Sequence, residues 1–261
     1  STTQRVKEPM ATLEDRSEID ERHVDRIEPA KRKMYRRNED IAHIEGMGQK
    51  LAKLIIFGTT NNAGASSSEG FNGLQQRLQN TSQTTVIDNG GTTASTLTSI
   101  YVVKMGKRGA YLIHPAPLDD QTFMGLTVRD KDREFRITDT STGKGLYKYV
   151  TQFIWNCGLA VEDELAVGRL ANIDITRTSG KSPFEEDNLI ELLDLGHFGA
   201  GTVILMNKTI KTQMRIKLKD KTNHFWNLRQ ALSGAEVLHF DTIPVIGLDT
   251  NIITNTETQV T

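Results

Sequence analysis

The sequence predicts an α+β fold, and three observations carry that reading. The stretch Tyr147 to Asp174, YKYVTQFIWNCGLAVEDELAVGRLANID, is the longest strand-like pattern in the chain. Val150, Phe153, Ile154, Leu159, Val161, Leu165, Val167 and Leu170 recur mostly at spacings of one to two, and β-branched and aromatic residues suit a pleated, half-buried surface. One segment, Asn38 to Phe57, repeats its apolar residues at helical spacing instead. Elsewhere, short apolar runs are separated by Gly- and Asn-rich turns.

Taken in order, residues 1 to 29 mix charges of both signs with few apolar residues, namely Leu13, Ile19, Val24 and Ile27. Such an arm buries little by itself. It is read either as a solvated surface arm or as one that lies on a neighbour and pairs charges there. An exposed pair contributes only about 0–1 kcal/mol, so pairing of this kind sets register more than strength. Lys31, Arg32, Lys33, Arg36 and Arg37 form a basic cluster that could face nucleic acid or simply be solvated.

The helix is expected to start at Asn38 as N-cap, with Glu39 and Asp40 suiting the positive end of its dipole. Ile41, Ile44, Met47, Leu51, Leu54 and Ile55 keep one face apolar, and Gly58 stops it. Gly46 and Gly48 inside it cost about 1 kcal/mol each relative to Ala, which close packing against another backbone would justify. Thr59 to Ser68 reads as a loop, Phe71 to Leu78 as a turn and short helix, and Asp88 to Gly91 as a turn.

Ser99 to His114 reads as a hairpin about Gly106-Lys107-Arg108-Gly109, Leu126 to Thr138 as a weakly alternating strand pair, and Ser141 to Gly145 as a polar turn. In Tyr147 to Asp174, Glu162-Asp163-Glu164 makes a charged bend between two strands, and Gly158 marks a bulge or a close backbone approach. Ser182-Pro183-Phe184-Glu185 has the form of a capping box opening a helix to about Leu195. Thr202 to Met206 is a buried strand, and Asn207 starts a helix or turn. His224 to Leu232 reads as a short helix, and Phe240 to Leu248, broken by Pro244, as an edge strand. The last residues, Asn251 to Thr261, are polar.

The totals narrow the function classes. The 261 residues suffice for one large domain or two intertwined ones. A formal net charge of -1 gives no global basic field for nucleic acid. A hydrophobic content of 37% is low, and suits a chain that completes its burial against neighbours. The one cysteine, Cys157, excludes an intrachain disulfide and a cysteine-based metal cluster, and its apolar setting reads as structural. No apolar run approaches the roughly 20 residues of a membrane span, and no signal peptide is visible.

Catalytic constellations fail one by one. Gly180-Lys181-Ser182 imitates the end of a phosphate-binding loop, but the Gly required five places earlier is Ile175. Lys144 between Gly143 and Gly145 has no following Ser or Thr. His23, His43, His114, His197, His224 and His239 show no metal-binding spacing. Glu162, Asp163 and Glu164 read as solvated carboxylates. No catalytic, cofactor or metal residue is assigned.

Five blocks in order carry a resemblance: FNGLQQRL, TSIYVVKMGKRGAYLIHP, YVTQFIWNCGLAVEDELAVGRLANIDI, VILMNKTIKTQM and FDTIPVIGLDTNIITNTET. Together with the helix IAHIEGMGQKLAKLIIFG they resemble the major capsid proteins of short-tailed double-stranded DNA phages. The family segment TxFxWxxGLxVxDxxxVxRxANID is matched by Thr151, Phe153, Trp155, Gly158, Leu159, Val161, Asp163, Val167, Arg169 and Ala171 to Asp174. Met206-Asn207, Ile243-Pro244 and Asn255-Thr256-Glu257 match later landmarks. Glu164-Leu165-Ala166 and Gly168 depart from the pattern, which puts a packing contact in doubt.

The resemblance implies the tailed-phage capsid fold, shared with encapsulins: a peripheral domain with a spine helix, an axial domain, and an extended β-loop. It maps 1–30 to the returning half of that loop and 31–85 to the peripheral domain with the spine helix at 38–57. It maps 86–125 and 176–250 to the axial domain, 126–175 to peripheral strands and 251–261 to a polar tail. A preceding arm and the first half of the loop are expected upstream of Ser1.

The implied role is a shell protein that assembles with itself into hexamers and pentamers of an icosahedral head around packaged DNA. Portal, scaffolding and cement proteins are possible partners, and no membrane is expected. The protein is expected in the virion, assembled in the bacterial cytoplasm, without cofactor or enzymatic activity. Glu14, Arg16, Glu18, Glu21, Arg22 and Arg26 are expected at inter-subunit contacts. Lys31, Arg32, Lys33, Arg36 and Arg37 are expected to face DNA or a neighbour. The rivals are an encapsulin-like compartment shell and, more remotely, a soluble α/β enzyme.

Overall fold

The computed structural model describes residues 6–60, 70–116, 122–139, 143–177, 181–217, 226–230 and 236–261. In chain order the elements are β1 (Ala11–Asp20), α1 (Glu21–Asp25), α2 (Pro29–Phe57), α3 (Leu74–Arg77), β2 (Val86–Asp88), β3 (Leu97–Lys104) and β4 (Ala110–Ile113). There follow β5 (Thr122–Phe123), β6 (Leu126–Asp139), β7 (Lys144–Val161), β8 (Val167–Asp174), α4 (Glu186–Leu195), β9 (Thr202–Asn207), α5 (Lys208–Lys217), β10 (Trp226–Gln230), β11 (Glu236–Phe240) and β12 (Ile243–Leu248). They fall into two compact units. One comprises Ser1–Ala52, Thr59–Phe71 and Ile113–Gly158, the other Lys53–Gly58, Asn72–Leu112 and Leu159–Thr261.

The first unit is built on an antiparallel sheet in the order β1-β7-β6-β5. Within the charged arm a strand forms: β1 pairs with β7 over ten residues, from Ala11 opposite Cys157 to Asp20 opposite Lys148. Ala11, Leu13 and Ser17 are buried while Thr12, Glu14 and Arg16 alternate outward or to the rim. The signal was muted because Asp15 and Ser17 occupy inner positions that usually carry apolar residues. The expected strand pair at 126–138 is one long strand with a bulge. The register slips between Asp130 and Asp132, and Asp132 takes a φ of 56°. The bulge switches the alternation, so Phe135 stands opposite Tyr147.

Helix α2 starts at Pro29, nine residues before the expected cap. Pro is pre-organised for the first helical turn, and Ala30 to Arg37 are mostly strong helix formers, which propensity favours even without an apolar stripe. Asn38 is therefore mid-helix, and the basic cluster occupies its opening turns. Among the described residues a Cβ at Gly46 or Gly48 would meet nothing within 4 Å, so close packing against them does not explain these glycines. Close approach occurs instead at Gly73, where a Cβ would stand 2.7 Å from the Gly58 nitrogen and the Leu54 oxygen. Gly158 fulfils the expected close approach, with the Pro9 oxygen 2.7 Å from its would-be Cβ.

The second unit is organised by a seven-stranded sheet in the order β10-β11-β12-β9-β3-β8-β2. β3 lies between β8 and β9, antiparallel to both. Every residue from Leu97 to Val103 is consequently buried. Ile100, Val102, Leu170, Ile204, Met206 and Val245 from the sheet pack with Leu189 and Leu192 of α4 and Ile210 and Met214 of α5. The turn at 105–109 is present, but β4 pairs with β7 rather than folding back along β3. Only an isolated bridge joins Met105 and Ala110.

Three further expectations change. α4 begins at Glu186 with Glu185 as N-cap and no side-chain capping bond. Ser182 is not a cap, because its hydroxyl donates to the Gly90 oxygen. The short helix expected at 224–232 is strand β10 over its described part, paired with β11. β12 is not an edge strand, since it lies between β11 and β9. Pro244 is tolerated because the parallel ladder to β9 starts one residue later, at Val245. Asn207 does open a helix: its Oδ1 accepts the Ile210 N–H at 2.9 Å. No described helix is long and apolar enough to cross a membrane.

Candidate assembly surfaces and a buried polar lock

The charged arm is laid out by the β1–β7 ladder. Glu14 accepts from Gln152 and from Arg16, the latter at 3.2 Å, and these bonds hold its carboxyl below the usual carboxylate range. Glu18 lies 3.1 Å from Lys148 and 3.4 Å from Arg136, and Glu21 pairs with Arg133. Arg22 and Arg26 expose their side chains at the short helix α1. The expected contact residues therefore divide: Glu18 and Glu21 are engaged across the sheet of their own chain, and Arg22 and Arg26 point outward.

The basic cluster divides similarly. The Arg36 side chain is only 16% exposed; it pairs with Asp130 and lies 4.8 Å over the Tyr149 ring. Arg32 donates to the carbonyls of Ile27 and Asp25 and pairs with the Asp25 carboxylate at 3.2 Å. Lys31 pairs with Glu28 in solvent. Lys33 and Arg37 remain exposed on α2. Further along the helix, Asp40 accepts from Thr151, and His43 lies 2.8 Å from Asp15 and stacks on Phe153. Three consecutive turns of α2 thus fasten it to one face of the β1-β7-β6 sheet.

The second unit contains a site that sequence reasoning quoted only as landmarks. Arg169 is 1% exposed inside β8. It donates from Nε to Ser99 Oγ at 3.0 Å, from Nη1 to the Leu78 carbonyl at 2.9 Å and from Nη2 to Glu257 Oε2 at 2.7 Å. Its guanidinium lies 5.6 Å from the Tyr101 ring centre. Burial pushes the Glu257 carboxyl above its usual range, against the opposing pull of Arg169 and Ser99.

Three residues along β8, Asn172 takes a φ of 57° and is buried. Its Oδ1 accepts the Val260 N–H, and its Nδ2 donates to the Val260 carbonyl and to Asp88, each at 2.8 Å. Thr98 donates to the Thr254 carbonyl, and Asn207 donates to Asn255. Segment 249–261, which has almost no regular structure, is thereby pinned to the sheet. The one signal available was a buried-type strand interrupted by Arg169 and ending in Asn172 and Asp174.

The charged bend also resolves. His197 lies 2.8 Å from Asp163, whose carboxyl this bond holds below its usual range, and Asp163 accepts from the Leu165 N–H. Gly168, one of the departures from the family pattern, sits where a Cβ would be 3.0 Å from Leu192 and from Phe198. Cys157 is buried, and its thiol is pushed up to about 11. Among the described residues no cluster of His, Cys, Asp or Glu is placed to hold a metal.

A family model described as "Major capsid protein GP7" matches residues 1–261. Among solved structures, the bacteriophage Epsilon15 structure matches with a TM-score of 0.68 at 22% identity, covering 100% of this chain and 79% of that one. At that identity the likeness shows the fold. The SrpI encapsulin of Synechococcus elongatus aligns at 14% identity and a TM-score of 0.44, covering 64% of this chain and 75% of that one. A procapsid of bacteriophage JBD30 aligns at 8% and 0.32, covering 93% and 76%. Neither of these two carries weight here. No curated protein matches the sequence.

Proposed function

The chain belongs to the major capsid protein GP7 family, and from that premise we propose that its copies tile an icosahedral phage head as hexamers and pentamers around packaged double-stranded DNA. It is a phage capsid protein with the tailed-phage capsid fold. The single observation that carries the reading is the family match along the entire sequence. Its work is assembly, without an enzymatic step. The protein resides in the virion shell, built in the bacterial cytoplasm, with portal, scaffolding and cement proteins as partners.

In this reading α2 is the spine of the peripheral domain, now extended to Pro29–Phe57, and the seven-stranded sheet is the axial domain's frame, taking in β8, which the resemblance had mapped to the peripheral strands. Residues 1–30 remain the returning half of the extended loop. Arg22 and Arg26, with the outward edge of β1, are the arm's share of the inter-subunit contact. The internally paired Glu18 and Glu21 set its register, with Glu14 and Arg16 beside them. Lys33 and Arg37, with Lys31, are the part of the basic cluster left to face DNA or a neighbour. Arg32 and Arg36 hold α2 in place.

The test is negative-stain microscopy of the full-length protein, expressed alone and with its neighbouring phage genes. Closed shells or hexamer sheets are the expected result, and a clean monomer under both conditions overturns the reading. Charge reversal at Lys33 and Arg37 is expected to lower DNA retention or assembly; unchanged values of both would remove these residues from the interface.

A further inference from the structure

The β5–β6 hairpin carries an apolar knob. Phe123 is 73% exposed and Met124 65%. Met124 and Gly125 have φ values of 48° and 80°, the geometry of a two-residue type I′ turn. The turn is held from beneath: Trp155 Nε1 donates to the Met124 carbonyl at 3.2 Å, and the Asn156 N–H to the Gly125 carbonyl at 3.0 Å. Two large apolar side chains on an exposed, hydrogen-bonded turn serve nothing within the core formed by the described residues.

The second unit carries an apolar hollow of about 350 Å³. Ile55, Leu74, Val103, Leu159 and Leu205 line it, and Leu112, 45% exposed, stands at its mouth. An apolar cavity of about 150 Å³ already lodges a benzene ring, so this one has room for a phenylalanine ring and a methionine side chain.

We propose that the Phe123–Met124 turn of one copy seats in the Ile55–Leu74–Leu159 hollow of a neighbouring copy, as a heterologous knob-in-hole contact of the shell. The inference rests on the capsid reading above. A second copy is the occupant because the chain belongs to a capsid protein family and itself carries both an apolar protrusion and an apolar hollow, the two different patches that a heterologous contact needs. The area argues the same way. One buried phenylalanine removes about 150–250 Å², whereas a stable isolated pair buries about 1,200–2,000 Å² in total. The contact is too small to hold a dimer, and fits one repeated around a closed array.

The experiment mixes Phe123→Cys copies with Leu112→Cys copies during assembly, followed by mild oxidation. Cys157 is buried and is present in both single samples, which control for it. A disulfide forms only where the two Cα atoms come within about 7 Å, so with the knob seated beside Leu112 a cross-linked dimer is expected in the mixture and in neither sample alone. Phe123→Ser is expected to raise the concentration for half-maximal assembly roughly tenfold, the effect of exposing one phenylalanine. Closed particles without the mixed cross-link overturn the inference and leave the capsid reading standing. So does cross-linking of Phe123→Cys copies to each other, or a different protein found covering Phe123. Absence of particles under every condition overturns the reading and the inference with it.

Discussion

Arg169 and Glu257 stand 88 residues apart in sequence and meet at 2.7 Å with side chains 1% and 2% exposed. The guanidinium cannot shed its charge at any accessible pH, whereas the carboxyl can take up a proton. Losing the acid is therefore the graver change. Glu257→Ala, which leaves Arg169 buried without its anion, is expected to cost about 3–5 kcal/mol. Glu257→Gln keeps an oxygen toward Arg169 and is expected to cost clearly less. Urea unfolding of the two variants decides it, and equal losses would show that the charge of Arg169 is compensated elsewhere.

Two buried carboxylates among the described residues of this unit, Asp174 and Glu257, respond to pH with opposite sign. Burial raises Asp174, but bonds from the Thr176 N–H and hydroxyl and from Thr96, with Lys181 nearby, outweigh it and leave the carboxyl below its usual range. Its stabilisation is present above the unfolded value of about 3.9 and is lost as pH falls through the folded value. Glu257 is raised by burial, so its contribution is present below about 4.3 and is lost as pH rises through its folded value. Asp174→Asn is expected to flatten the acid limb of a stability-versus-pH curve. Glu257→Gln is expected to flatten the limb above it. Parallel curves for wild type and both variants would refute the assignment.

Asn172 combines a left-handed backbone with a side chain that grips both polar groups of Val260. Asn172→Ala loses the grip and keeps the strain; Asn172→Gly loses the grip and relieves it. A net hydrogen bond contributes about 1 kcal/mol and a strained non-glycine residue costs about 1–3. Both variants are expected to be destabilised, Ala by about 1 kcal/mol or more beyond Gly. Hydrogen exchange at the Val260 N–H, which Asn172 accepts, should also be faster in both. Equal stability of the two would mean that the φ of Asn172 costs nothing.

The sequence made the apolar half of α2 legible, because Ile44, Met47 and Leu51 keep helical spacing; it hid the half from Pro29 to Arg37, where propensity acts without an apolar stripe. It hid β1 for a related reason. Asp15 faces His43, and Ser17 is buried, so period-two alternation is written in polar residues. The long β7–β8 stretch with its bend, β9 and α5 follow from local pattern and emerged as expected. Pairing partners did not, as with β4 leaving β3, or β12 in the sheet interior. The polar lock lay in residues already quoted, but Arg169 and Glu257 become partners only when the chain closes on itself. Ser182 shows the converse: a local motif spelled a cap, and a tertiary acceptor at Gly90 took the hydroxyl.

The reason for Gly46 and Gly48 is not found among the described residues of the chain. Each sits within α2, where glycine costs about 0.5–1 kcal/mol against alanine, and no described residue outside the helix's own backbone comes within 4 Å of a would-be Cβ. The backbone is already helical, so an added methyl strains nothing and narrows the unfolded ensemble. Gly46→Ala and Gly48→Ala together are expected to raise unfolding stability by about 1–2 kcal/mol, measured on the unassembled chain by thermal or urea unfolding. A loss of stability there would mean that the helix packs against some part of its own chain at these positions. The gain, if found together with a higher concentration needed for assembly, would place the reason for both glycines in the shell.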